Sequence, residues 1–192
     1  NSNNQKIISI TTNSNGVATS TLLDYGTYYV KESKAPNKYT VKVEVSENVG
    51  VVENGKTYEI SILNTRVKGT VNISKEDTET GKKAQGEATL KGAVYGVYAR
   101  NTIYDPADNS VKYNANAKIG ELTTDENANA SMSNLYLGEY YIKELQASTG
   151  YTLDTNTYNF DLTYENQNVS VVTKSITVIE RVKSQAFRII KV

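Results

Sequence analysis

The chain has no cysteine, no histidine and no tryptophan, and only two prolines among its 192 residues. Without cysteine, neither a disulfide nor a thiolate metal site can hold the fold together. Without histidine, the commonest general base and the commonest transition-metal ligand are both missing, so an enzyme starts from a poor inventory. An excess charge of one sign is lacking too. Lys+Arg and Asp+Glu are 21 each, so no basic field draws the chain to nucleic acid and no acidic tail is present. No run of about 18 apolar residues exists to span a bilayer. The opening NSNNQKIISI reads as neither a signal peptide nor an anchor, so any export or attachment signal is expected in segments outside this sequence.

What is present points to strands. Fifteen tyrosines and many Val, Ile and Thr suit pleated, half-buried surfaces, and alternation is visible directly. Ile60, Ile62 and Asn64 share one parity, as do Val71, Ile73 and Lys75. No stretch carries a sustained 3.6-residue apolar stripe. Turns are marked by NSNG at 13–16, ENG at 53–55 and DPADN at 105–109, the last inside a hairpin insertion. The expectation is an all-β chain of antiparallel sandwiches.

The sequence also repeats itself. YGTYYVKESKAPNKYTV begins at residue 25 and LGEYYIKELQASTGYTL at residue 137, a separation of 112 residues. That is a domain length rather than a solenoid period. TTNSNGVATSTLLDYG (11–26) matches TTDENANASMSNLYLG (123–138) without a gap, and ISILN (60–64) matches ITVIE (176–180). RVK follows both, at 66–68 and 181–183. The expected organisation is a first unit over 1–66 without its opening strands, a complete unit over 67–183, and the opening strand of a third over 184–192.

Alternation then exposes an oddity. It puts Tyr28, Val30 and Glu32 on one face in the first copy, and Tyr140, Ile142 and Glu144 on the matching face in the second. Lys75 likewise points inward with Val71 and Ile73, and Asn64 with Ile60 and Ile62. Buried Lys and Glu cost several kcal/mol per ion, in order of magnitude, unless they are paired.

The ordered set G-x-V-x-I-x-K, LKGAVYGVYA, TTDENANASMSNLYLGEYYIKE and a terminal GY resembles the B-type repeats of Gram-positive surface proteins. These are the prealbumin-like stalk domains of collagen adhesins and SpaA-type pilins. The resemblance covers nearly the whole chain. It implies that a strand lysine attacks the side-chain amide of an asparagine on the last strand, assisted by a buried glutamate, with loss of ammonia. An apolar site suits this, since burial favours a neutral amine and a protonated carboxyl. Carried across, the resemblance assigns Glu32 and Glu144 as the assisting glutamates, Asn64 as the first unit's acceptor and Lys75 as the second unit's nucleophile. Glu180 stands where the second unit's acceptor is expected. A carboxylate loses water less readily than an amide loses ammonia, so the expectation is a buried ionic cluster of Lys75, Glu144 and Glu180 rather than an amide. Lys191, in register with Phe187 and Ile189, is the lysine of the third strand. A Lys191 strand docking beside Glu32 and Asn64 of another molecule is a further expectation.

Other chemistries are weaker readings. Asp125, Asn127 and Asn129 have calcium-loop spacing but lack the following Gly and the closing Glu, and their counterpart is the plain turn NSNG. Tyr29 and Tyr141 could stack on sugars, although strand tyrosines more often pack across strands. Glu144 and Glu180 as a glycosidase pair would need a cleft. The expectation is therefore a non-enzymatic stalk segment of an extracellular, wall-anchored adhesin or pilus protein, with no cofactor, no metal and no nucleic-acid partner. Its partners are adjacent repeats of the same polypeptide and, through another domain, a host surface ligand. The alternative is an adhesin module that itself binds a host glycan or matrix protein.

Overall fold

In the computed structural model, residues 5–42 and 44–191 are described. The first four residues of the expected first unit, Val43, and the last residue of the expected extra strand lie outside the described residues.

Thirteen strands and no helix are found among them. Before residue 67 the strands are short: β1 (Gly26–Tyr28) pairs antiparallel with β3 (Val49–Val51), and β2 (Tyr39–Thr40) with β4 (Thr65–Arg66). After it they lengthen into β5 (Lys68–Asp77), β6 (Val94–Ala99), β9 (Lys118–Thr123), β10 (Asn129–Leu135), β11 (Gly138–Gln146), β12 (Thr157–Leu162) and β13 (Val171–Glu180). The insertion at DPADN forms the hairpin β7 (Ile103–Tyr104) and β8 (Val111–Tyr113).

From Lys68 onward the chain is a β-sandwich. One sheet runs β10-β5-β13 and the other β12-β11-β6-β9. Alternation explains the core between them. Val71 and Ile73 of β5, Tyr140 and Ile142 of β11, and Val172 and Val178 of β13 point inward and are essentially excluded from water. Each fully buried side chain of this size stabilises the fold by about 1.5–3 kcal/mol. Tyr140 stacks on Phe160 with ring centroids 5.3 Å apart. Gly69 is required by close approach, because a Cβ there would lie 2.4 Å from Leu162 Cδ1.

One pairing departs from the antiparallel expectation. β13 runs parallel to β5, with Val178 opposite Lys75 and Glu180 opposite Asp77. First and last long strands are thus neighbours in one sheet. The stretch 184–191 is in no strand, and Phe187 and Ile189 are 93% and 92% exposed. Among the described residues no sheet edge pairs it, and Phe187 and Ile189 face outward.

Candidate functional site

The alternation that buries Val71 and Ile73 also buries Lys75, whose side chain is fully excluded from solvent. Glu144 comes from β11 and Glu180 from β13, both buried. Lys75 Nζ lies 3.2 Å from Glu144 Oε1, and on its other side it meets Glu180 Oε2. The parallel register explains the second contact: Val178 is opposite Lys75, so Glu180, two residues on, points to the same side of the sheet.

Each glutamate is held by its second oxygen. Glu144 Oε2 accepts the Asp154 amide at 2.8 Å, and Glu180 Oε1 accepts the Tyr95 hydroxyl at 2.9 Å. Tyr95 is opposite Glu144 in the β6–β11 pair. Tyr151 closes the end of the cluster, with its ring centroid 5.2 Å from Lys75 Nζ and its hydroxyl donating to Asp77 Oδ2 at 2.8 Å. One amine thus sits among two carboxylates. Burial pushes the Glu180 carboxyl up, the Lys75 ammonium pulls it down and the Glu144 charge pushes it up again, leaving it at about 6. Burial also pushes Asp77 up, but hydrogen bonds from Gln85, the Glu79 amide, Tyr151 and the Thr80 amide prevail and hold it below the usual range.

The first copy contains a matching half. Asn64 Nδ2 donates to Glu32 Oε2 at 2.7 Å and to the Thr40 carbonyl at 3.0 Å. Glu32 Oε2 also accepts the Lys42 amide at 2.6 Å. Lys42 follows Glu32 by the same interval at which Asp154 follows Glu144, so one backbone bond recurs in both copies. Glu32 is only half-buried, against the expectation that it matches Glu144, because two short two-stranded sheets cover less than a full sandwich does. Lys191 is exposed and belongs to neither cluster.

Sequence reasoning missed the Lys42 and Asp154 amides and the Tyr95 hydroxyl. Backbone donors have no residue signature. For Tyr95, the inward parity of Tyr95, Val97 and Ala99 was the available signal.

The rival constellations have local occupations. Asp125 Oδ1 accepts the Asn127 and Asn129 amides, each at 2.9 Å, which is turn bonding. Among the described residues, no group of three or more His, Cys, Asp or Glu side chains is placed to hold a metal. Tyr141 stacks on Tyr98 across the strands with centroids 5.0 Å apart. Lys75 fills the space between Glu144 and Glu180 where a glycosidase would need a sugar.

The SpaA prealbumin-like fold domain, a protein family, matches residues 1–66 and 69–177. The chain belongs to this family. Among solved structures it is similar to the Bacillus anthracis TIE protein, at 25% identity and a TM-score of 0.64, over 90% of this chain and 28% of that one. It also matches GBS52, the minor pilin of Streptococcus agalactiae, at 19% identity and a TM-score of 0.42, over 97% of this chain and 73% of that one. A third match is the group B streptococcus pilus 2b backbone protein, at 22% identity and a TM-score of 0.45, over 79% and 52% of the two chains. This SpaA-like chain thus spans little more than a quarter of the TIE protein's length. No curated protein matches the sequence.

Proposed function

We propose that this SpaA-like chain is a stalk or spacer segment of a Gram-positive cell-surface or pilus protein, built from tandem units over 1–66 and 67–183, with 184–192 opening another. The family match in two stretches, 1–66 and 69–177, supports the division. The observation that carries the mechanical reading is Lys75 on β5 buried against Glu180 on β13, a tie between the first and last long strands of the second unit.

In this reading Lys75, Glu144 and Glu180 form an ionic tie without an amide bond. The Glu32–Asn64 pair is the acceptor half of a crosslink, which a lysine brought by another strand completes: its amine attacks the Asn64 amide carbon, Glu32 relays protons, and ammonia leaves. The role is non-enzymatic, and the chain's neighbours are other repeats of its own polypeptide.

Pulling single molecules from both ends tests the stalk reading. The second unit should resist unfolding, and Lys75→Met should lower its rupture force. Unchanged force in the variant removes the tie from the mechanism. A spacer should also leave a glycan array and immobilised collagen unbound; specific binding to either would favour the adhesive alternative.

A further inference from the structure

The two units meet at a joint that has more structure than a linker needs. Only Val67 separates β4 from β5, and it is 3% exposed, packed into the second unit's core. Its amide donates to the Lys38 carbonyl at 2.9 Å, while the next amide, of Lys68, donates to the Ser170 carbonyl at 3.1 Å. The chain is therefore fastened to one side and then the other within two residues.

Side chains reach across on both flanks. On one, Arg66 donates to the Tyr136 hydroxyl at 3.2 Å and pairs with Asp105 of the insertion hairpin at 3.2 Å. Tyr136 closes the triangle by donating to the other Asp105 oxygen at 3.2 Å. On the opposite flank Gln167 behaves like a short strand partner. Its Oε1 accepts the Ala35 amide at 2.9 Å, its Nε2 donates to the Ser33 carbonyl at 3.3 Å, and its own carbonyl accepts the Val41 amide at 3.0 Å. Ala35 is the one buried apolar side chain among the described residues before Val67, so the first unit's most protected point is the joint itself.

We propose that the hairpin carrying Asp105, together with Tyr136 and Gln167, is an inter-repeat clamp that takes the arginine-bearing tail of the preceding repeat and fixes the angle between the two. The inference rests on the two-unit reading above. Relative motion is the ordinary expectation for two domains sharing a modest polar interface. Here a buried one-residue connection, an arginine fork and a bridging amide oppose it from three directions. The insertion hairpin then serves rigidity rather than ligand capture.

The absence of cysteine makes the test clean. Thr57→Cys and Glu87→Cys, both at exposed positions, place one spin label on each unit of the full chain. The expected distance distribution is narrow, and adding Asp105→Ala with Gln167→Ala should broaden it about twofold or more, as for freely hinged domains. Hydrogen exchange on the same variant separates the two possible failures. Faster exchange confined to the joint, with β5 and β13 amides still protected, supports the clamp. An unchanged width with β5 and β13 protected overturns the clamp and leaves the two units standing. Protection lost along β5 and β13 alone would make the two side chains part of the second unit's own stability and overturn the clamp, whereas loss there and along the β1–β3 pair together would show one cooperative body and overturn the two-unit reading with it.

Discussion

Glu180→Asn places an amide beside the Lys75 amine and leaves Glu144, with its Asp154 amide, in position to relay protons. Asparagine is one methylene shorter than glutamate, but in the first unit an asparagine at this register still reaches its glutamate, with Asn64 Nδ2 2.7 Å from Glu32 Oε2. Closing the bond between positions 75 and 180 would remove loop entropy from the unfolded chain. By analogy with a disulfide spanning roughly 100 residues, the gain is about 4–5 kcal/mol. For a unit of this size, that corresponds to a rise of roughly 15 °C in thermal midpoint. Intact mass under denaturing conditions should show one ammonia lost, and a peptide map should give a branched species joining Lys75 to position 180. A variant of full mass with no rise in midpoint refutes the idea that only the acceptor's identity keeps this site from crosslinking. The wild type carries its own check: a mass one water lighter, with a Lys75–Glu180 branched peptide, refutes the ionic cluster.

The remaining predictions concern the same cluster and one turn in each copy. Glu180 stands at about 6 in the fold against an ordinary 4.5, so the native state holds a proton that the unfolded chain has released. This contribution is fully present below about 4.5 and lost as pH rises through about 6, a difference on the order of 2 kcal/mol. Denaturant titrations should therefore show the wild type gaining on Glu180→Gln as pH falls from about 7 to about 5, and a pH-independent gap counts against the assignment. Lys75→Met leaves two buried carboxylates facing each other and should cost about 3–5 kcal/mol at neutral pH, with part of the loss recovered by adding Glu180→Gln. Gly150 has φ +84°, and a Cβ there would lie 2.5 Å from the Ala88 Cβ, so Gly150→Ala should lose about 2 kcal/mol or more by calorimetry. Its counterpart Lys38 has φ +68°, so Lys38→Gly should slow exchange of the nearby Val67 amide, reflecting about 1 kcal/mol of relieved backbone strain.

Much of this site was legible because a strand's period of two is unforgiving. Val71, Ile73 and Lys75 share a parity, and no register of β5 can bury the first two and expose the third. The same reasoning put Glu144 and Asn64 on inward faces, the match of ISILN with ITVIE put Glu180 at the Asn64 position, and only the family resemblance joined Asn64 to Glu32. Alternation gives a face, however, and says nothing of which strand lies alongside. That is why the parallel β5–β13 pairing was not anticipated, although the Lys75–Glu180 contact depends on it. The joint was hidden for another reason. Gln167 in a turn-rich loop and Asp105 in DPADN look like ordinary solvated residues, and their partners, Ser33, Ala35 and Arg66, are separated from them by long stretches of sequence. Only the bound geometry distinguishes a clamp from a polar surface.

The parallel pairing also determines how tension would travel through the second unit. Force entering from the first unit arrives at Lys68, the start of β5, and force leaving toward residue 181 departs from Glu180, the end of β13. The strands are neighbours over ten aligned pairs, from Lys68 opposite Val171 to Asp77 opposite Glu180. Pulling the two ends apart therefore slides β5 along β13 and loads their evenly spaced bonds together. Peeling, which breaks bonds one at a time, would need the force to be applied across the pair at a single end. Lys75 and Glu180 hold the strands together close to the end where β13 leaves the sandwich, so the tie is loaded as that strand begins to slide. An ionic tie there can re-form after a partial slip, whereas an amide prevents the slip. Glu180→Asn should therefore exchange a recoverable joint for a locked one.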